Sequence, residues 1–395
     1  MIKPLKILMI LHMPWTREMG APRVSVETAD EFVKLGHQVD KFDIHDAFPN
    51  RNRLSAYFEA ARFSHRAVEY VRRHGHNYDV IQAEQGNLPV TKQQLGYKGV
   101  LIARSNGLAH FHLAYLRAEQ ERKRRQGIRE GTVIGNLLRG LAERTYDPLA
   151  EVERSFVAAD AIIMINQAEW QYVSENLGHR DKTVLLNNAM SEERHAAFAA
   201  RRTPPAARLA AQQISFIGGW TDLKGSRDFP RLVRAVRKAR PGTRFLLLGT
   251  GVEANTVRSC FDQADRDAVE VVARYASADL PELLSTATIG VQLSYSEGFG
   301  LGILESLAAG IPTLAYDAPG PREMLRRFEP PLLTPVGDVE TAAQRLLTLL
   351  ALSENEYTAL SKQSCMIASH FRWPDIACKM LALYEQKRTE LGLNR

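Results

Sequence analysis

Short apolar runs alternate with stretches of helical period along nearly the whole chain. In the first half the runs fall at Leu5–His12, His37–Ile44, Asp79–Glu84, Val100–Asn106, Ala161–Asn166 and Lys182–Asn188. Most are continuous rather than alternating, which predicts parallel strands covered on both faces. Helical periods lie between several of them, for example Val24 to Leu35, closed by Gly36 as a C-terminal stop. In the second half the runs recur at Ile214–Gly218, Arg244–Leu248, Val269–Ala273, Ile289–Tyr295 and Thr313–Tyr316. Strand–helix alternation of this kind predicts two doubly wound, Rossmann-like α/β domains facing a cleft.

Residues 191–212 separate the two series and are rich in Ala and Arg around Pro204-Pro205. By composition they read as a linker. The expected division is an N-terminal domain over 1–190, the linker, a second domain over 213–372 and a terminal helix over 373–395. That helix starts at Pro374, a residue suited to a first helical turn. A chain of 395 residues, 45% hydrophobic and 24% charged, has material for two cores of ordinary size.

No apolar run approaches the roughly 18–20 residues needed to span a bilayer. The run Ile7–Leu11 reads as a buried first strand rather than a signal segment, because His12 and Pro14 end it. Cys260, Cys365 and Cys378 lack metal-ligand spacing and are expected to be free thiols in a cytoplasmic protein. No metal site is expected.

One segment, 110–153, breaks the rhythm. It carries Arg117, Arg122, Lys123, Arg124, Arg125 and Arg129 against Glu119 and Glu121. One reading is a solvated helical face inserted in a crossover. The other is a docking surface on the inner face of a membrane or on an anionic acceptor. Without interleaved aromatics it is a poor footprint for nucleic acid, which is not an expected partner.

The densest chemistry lies in Ser296-Glu297-Gly298-Phe299-Gly300-Leu301-Gly302-Ile303-Leu304-Glu305. A strand enters this glycine-rich loop and a helix leaves it, so backbone N–H groups and a helix dipole converge where a phosphate could sit. Gly298, Gly300 and Gly302 admit close backbone approach. Two carboxylates, Glu297 and Glu305, flank the spot and suit sugar hydroxyls.

The stretch Ser296–Pro312 resembles the glutamate-x7-glutamate signature of retaining glycosyltransferases of family 4, which have the GT-B fold. The resemblance implies metal-independent transfer of a sugar, with retention, from a nucleotide diphosphate donor, a UDP- or GDP-sugar, to an acceptor hydroxyl. The acceptor, whether glycan, lipid-linked sugar or small molecule, is not legible. By this resemblance Glu305 binds the donor ribose. Glu297 contacts the hexose, and Gly298, Phe299, Gly300 and Leu301 line hexose and diphosphate.

A second motif, Phe216 to Gly225, matches at Lys224, the expected diphosphate cation. It departs at Gly219, where the family carries arginine; Arg227 and Arg322 are candidate substitutes. Gly20 matches the glycine after the first strand. Asn106 replaces the family's histidine near the reacting sugar, and an amide cannot take up a proton there. His110 and His112 are the nearby candidates to compensate. Arg274 and Tyr275, with the Gly249–Gly251 loop, are expected at the nucleotide end. Two other readings follow from the departures and the basic segment: a nucleotide-sugar-binding protein with impaired catalysis, and a basic membrane- or nucleic-acid-binding protein.

Overall fold

The structure is a computed structural model that describes residues 4–49, 56–127 and 147–393, with the side chains of residues 56–61 excepted. The chain divides into two compact units: residues 1–187 with 374–395, and residues 188–373. Arg129 and the middle of the 110–153 segment lie outside the described residues.

The first unit is built on six parallel strands in the order β2-β1-β3-β4-β5-β6: β1 Lys6–Ile10, β2 Gln38–Phe42, β3 Val80–Glu84, β4 Val100–Arg104, β5 Ala161–Met164 and β6 Thr183–Leu185. β3, β4 and β5 are buried at every position, as continuous runs demand, whereas the edge strand β2 alternates between exposed and half-buried residues until Phe42. Helices α1 (Gly20–Lys34), α2 (Ala56–His74), α3 (Ala109–Arg125) and α4 (Pro148–Ala158) belong to this unit. Phe63, Ala67 and Val71 of α2 join Leu8, Ile10, Ile81 and Leu101 in one core.

The second unit has six parallel strands in the order β12-β11-β10-β7-β8-β9: β7 Gln213–Ile217, β8 Arg244–Leu248, β9 Val269–Val272, β10 Ile289–Gln292, β11 Thr313–Tyr316 and β12 Leu333–Thr334. β12 is only two residues long, too short to leave a pattern. Both units are therefore doubly wound and Rossmann-like, as the alternation predicts.

Residues 191–212 depart from the expected linker. They form α5 (Glu192–Ala200) and α6 (Pro205–Ala211), both within the second unit. Ser191 caps α5 by accepting the Arg194 N–H, Glu192 and Glu193 favour its positive end, and Pro205 opens α6. Ala and Arg, read there as linker composition, are strong helix formers. The buried Arg208 donates to the Ala287 carbonyl and fastens α6 to the unit.

Five further helices complete the described scaffold relevant to function: α7 (Phe229–Ala239), α8 (Leu301–Ala308), α9 (Pro319–Leu325), α10 (Val339–Leu350) and α11 (Glu354–Ala368). The last helix, α12 (Trp373–Glu390), joins the first unit from Pro374 onward, where Tyr384 donates to Gln82 of β3 at 2.6 Å.

Candidate functional site

In a doubly wound sheet ligands gather at the carboxyl ends of the strands. In the second unit the loops at that end are tied to one another by backbone bonds. Gly218 N–H donates to Leu248 O, Trp220 N–H to Thr250 O, Gly249 N–H to Val272 O, and Tyr295 N–H to Leu223 O. The loops after β7, β8 and β10 thus form one continuous rim.

Gly300 starts α8 with a φ of 93°, a left-handed conformation that costs a side-chain-bearing residue free energy. Gly225 has φ 81°, and a Cβ there would lie 2.4 Å from the Leu293 carbonyl oxygen. Only glycine lets the turn after Lys224 press against the end of β10.

That close approach places Lys224, the expected diphosphate cation, beside Glu297, the expected hexose contact. Lys224 Nζ lies 2.5 Å from Glu297 Oε2, and Ser294 Oγ donates to the same oxygen at 3.1 Å. The Glu297 carbonyl accepts the N–H of Gly320, so α9 supports the loop from behind. The Phe299 ring is buried against Phe371 and packs the loop from its side-chain face.

Glu305, one turn into α8, is buried. Arg194 of α5 meets it: Nη2 at 2.6 Å and Nε at 3.0 Å both donate to Oε1. Arg194 Nη1 donates to the carbonyl and the hydroxyl of Ser277, each at 3.0 Å. Sequence reasoning missed Arg194 because it fell in the supposed linker. Its one sequence signal is the run Ser191-Glu192-Glu193-Arg194, a helix start rather than a linker.

The residues expected around them are placed as follows. Gly219 has open space around a would-be Cβ, its nearest neighbour being Thr221 Cγ2 at 4.0 Å. The candidate substitutes for the missing arginine are engaged elsewhere. Arg227 stacks over the Tyr295 ring at 4.0 Å and donates to its hydroxyl, and Arg322 grips Asp317 at 2.5 and 3.0 Å. Arg274 is exposed beyond β9. Tyr275 lies over Gly249, whose would-be Cβ is 3.2 Å from the ring.

In the first unit the carboxyl ends of β1, β3 and β4 bring together His12, Glu84 and Asn106. Glu84 Oε2 pairs with His12 Nδ1 at 2.9 Å, and Asn106 Nδ2 donates to Oε1 at 3.2 Å. The charge of Glu84 pushes the His12 imidazole up to about 9, against desolvation and with help from Asn87. Glu84 itself is held below its ordinary range: burial opposes ionisation, but His12, Asn106 and Arg104 outweigh it. The Asn106 loop is fixed from below by Glu169, which accepts from Ser105 Oγ at 2.8 Å and Leu108 N–H at 3.0 Å. Burial pushes the Glu169 carboxyl up to about 7.

His110, an expected compensating histidine, is buried on α3, bonded to Glu153 of α4 at 3.1 Å and packed on Tyr172. It fastens two helices. Gly20 is exposed at the first residue of α1. The basic residues of α3 are largely paired along their own helix: Arg122 and Lys123 with Glu119, Arg124 and Arg125 with Glu121. The Glu121 pairs form a solvated helical face, whereas Glu119 is buried and Lys123 largely covered. Among the described residues no helix is long and apolar enough to cross a membrane, and no group of side chains has a metal-ligating arrangement.

Residues 211–352 match the family model "Glycosyl transferases group 1", which takes in Lys224, Glu297 and Glu305 but neither Arg194 nor Asn106. The GDP-mannose-dependent alpha-mannosyltransferase of Mycobacterium tuberculosis is 29% identical over 38% of this chain and 38% of its own length. The first curated relatives are matched over only 20% to 38% of their lengths. Sucrose-phosphate synthase from Thermosynechococcus elongatus superposes with a TM-score of 0.69 at 18% identity, covering 97% of this chain and 98% of that one. Anabaena HepE, solved with UDP and glucose, gives 0.66 at 16% identity over 97% and 100%. The fold is that of the GT-B glycosyltransferases, and residues 211–352 carry the sequence pattern of glycosyltransferase group 1.

Proposed function

We propose that the protein is a retaining glycosyltransferase of family 4 that moves a sugar from a nucleotide diphosphate donor to an acceptor hydroxyl. The observation that carries this reading is the pairing of Lys224 with Glu297 on one rim, beside the glycine-rich start of α8 and the buried Glu305. Loop amides and Lys224 receive the diphosphate, where a cation stabilises charge developing on the leaving group. Glu297 turns to the hexose hydroxyls and Glu305 to the ribose. Relatives described as GDP-mannose-dependent and a neighbour solved with UDP support a UDP- or GDP-sugar donor. Gly298, Phe299, Gly300 and Leu301 contribute backbone, Gly20 serves beside the donor phosphate and the acceptor, and Arg274 and Tyr275 flank the nucleotide. The mechanism requires no metal held by the protein. The acceptor is a glycan, a lipid-linked sugar or a small molecule, which allows peripheral membrane contact by a cytoplasmic enzyme.

A thermal-shift screen of nucleoside diphosphates and their sugars tests the donor. A ligand at a hundredfold its Kd adds about 2.7 kcal/mol to native-state stability. The expected result is a clear rise in Tm with one donor, lost in Glu305→Gln, followed by release of that nucleoside diphosphate in the presence of acceptors. No shift with any donor, together with no transfer or hydrolysis, would refute the proposal. Gly219 and the amide at Asn106 favour a second reading, donor binding with impaired transfer; its signature is a Tm shift without turnover.

A further inference from the structure

We propose that Arg194 is a positioning residue for the donor ribose: it fixes the charge and orientation of Glu305, through which the site distinguishes ribose from deoxyribose. This rests on the donor-site reading of Glu305 given above.

The Glu305 side chain is only 5% exposed and that of Arg194 11%. A carboxylate so buried is driven toward its neutral form unless a cation and hydrogen bonds hold it ionised. The distinction matters for the ligand. An ionised carboxylate only accepts, and can take both hydroxyl protons of a ribose diol, whereas a protonated one must itself donate. Arg194 supplies the charge in a defined way. Two of its nitrogens converge on Oε1 instead of spreading over both oxygens.

The guanidinium is immobilised on its other side by Ser277, with both the carbonyl and the hydroxyl accepting from Nη1. It also lies 5.3 Å from the centre of the Phe198 ring. Arg194 thereby joins three segments around one carboxylate: α5, the loop after β9, and α8. A lysine would bring the charge as a single point without the planar fork, and so could restore ionisation but not orientation.

A tie that merely held α5 to α8 would leave sugar discrimination untouched, and this supplies the test. Calorimetric titration of the full chain with UDP, GDP and ADP, and with their 2′-deoxy counterparts, measures the preference directly. A hydroxyl bonded to a charged group is worth roughly ten- to a hundredfold in affinity, so the parent is expected to favour the ribonucleotide by at least about tenfold. Arg194→Gln should bring that preference within about twofold, the ribonucleotide losing more affinity than the deoxynucleotide, which meets Glu305 through its 3′-hydroxyl alone, and Arg194→Lys should restore part of it. Ser277→Ala, which removes the hydroxyl but leaves the carbonyl on Nη1, should weaken the preference only in part; Arg194→Lys, which keeps the charge without the planar fork, decides the matter if Arg194→Gln does not fold. A parental preference preserved in full in Arg194→Gln, or in Arg194→Lys where that variant decides, overturns the inference. Absence of nucleoside diphosphate binding by the parent instead overturns the donor-site reading on which it rests.

Discussion

Replacing Glu84 by Gln should return His12 from a cation at neutral pH to an ordinary or weakly basic imidazole. In the parent, the Glu84 charge is the largest influence and pushes His12 up to about 9 from its ordinary 6.5. That difference corresponds to ~3.4 kcal/mol of preference for the charged form. The His12 side chain is 40% exposed, so solvent screening reduces the stabilisation to about 1–2 kcal/mol. The native value is raised, so the contribution is fully present below pH 6.5 and is lost as pH rises through about 9. On the acid side the same pair weakens as Glu84, held below its ordinary value of 4.5, becomes protonated. Selective ¹³C labelling of histidine with NMR titration reads this directly, and His12→Gln assigns the resonance. The expected midpoint is about 9 in the parent and 6.5 or lower in Glu84→Gln, where desolvation acts without the compensating charge. The difference in Tm between the two proteins should shrink above pH 9. A His12 midpoint near 6.5 in both proteins would refute the reasoning. The outcome also bears on chemistry: an imidazolium at the carboxyl end of β1 donates hydrogen bonds to a ligand at neutral pH and cannot serve there as a general base.

Three further outcomes follow from the second unit. Lys224→Met removes the cation beside Glu297 and should lower kcat for transfer by roughly 10²–10³, the loss seen when one stabilising donor at a transition state is removed; steady-state kinetics with the donor identified by thermal shift measures it. Gly225→Ala combines a positive φ with a Cβ 2.4 Å from the Leu293 carbonyl, and should destabilise by about 2–4 kcal/mol while weakening donor binding, seen as a lower Tm and a smaller ligand-induced shift. Gly219→Arg enters open space and should strengthen nucleoside diphosphate binding by about tenfold through a charge-assisted bond; unchanged or weaker affinity by calorimetry would show that the diphosphate lies out of reach of that position.

The division between what the sequence disclosed and what it concealed follows the range of the interactions. Among the described residues, buried strands such as β3, β4 and β5 leave continuous apolar runs, and eleven of the twelve strands fall on runs legible in the local pattern, whereas the two-residue β12 does not. The glycine-rich start of α8 was equally legible, because its geometry depends on residues within one turn of Gly300. The pairings that set the electrostatics are not local. Lys224 and Glu297 lie 73 residues apart, Arg194 and Glu305 are separated by 111, and His12 meets Glu84 of β3 from the loop after β1. A spacing rule can propose two carboxylates eight residues apart, but it cannot say which cation each one meets.

That limit explains why the two glutamates are not equivalent. Glu297 shares its cation with a partly exposed site, its side chain 17% and that of Lys224 28% exposed, so an arriving diphosphate can draw the lysine away at modest desolvation cost. Glu305 is paired with an arginine anchored on Ser277 and more deeply enclosed. Removing one partner of such a pair leaves a buried charge uncompensated, a loss of about 3–5 kcal/mol, so ligand binding cannot proceed by releasing it. The physical consequence is a division of labour on one rim. Lys224–Glu297 is the pair a ligand can reorganise, and Arg194–Glu305 is the fixed reference against which the ligand is measured.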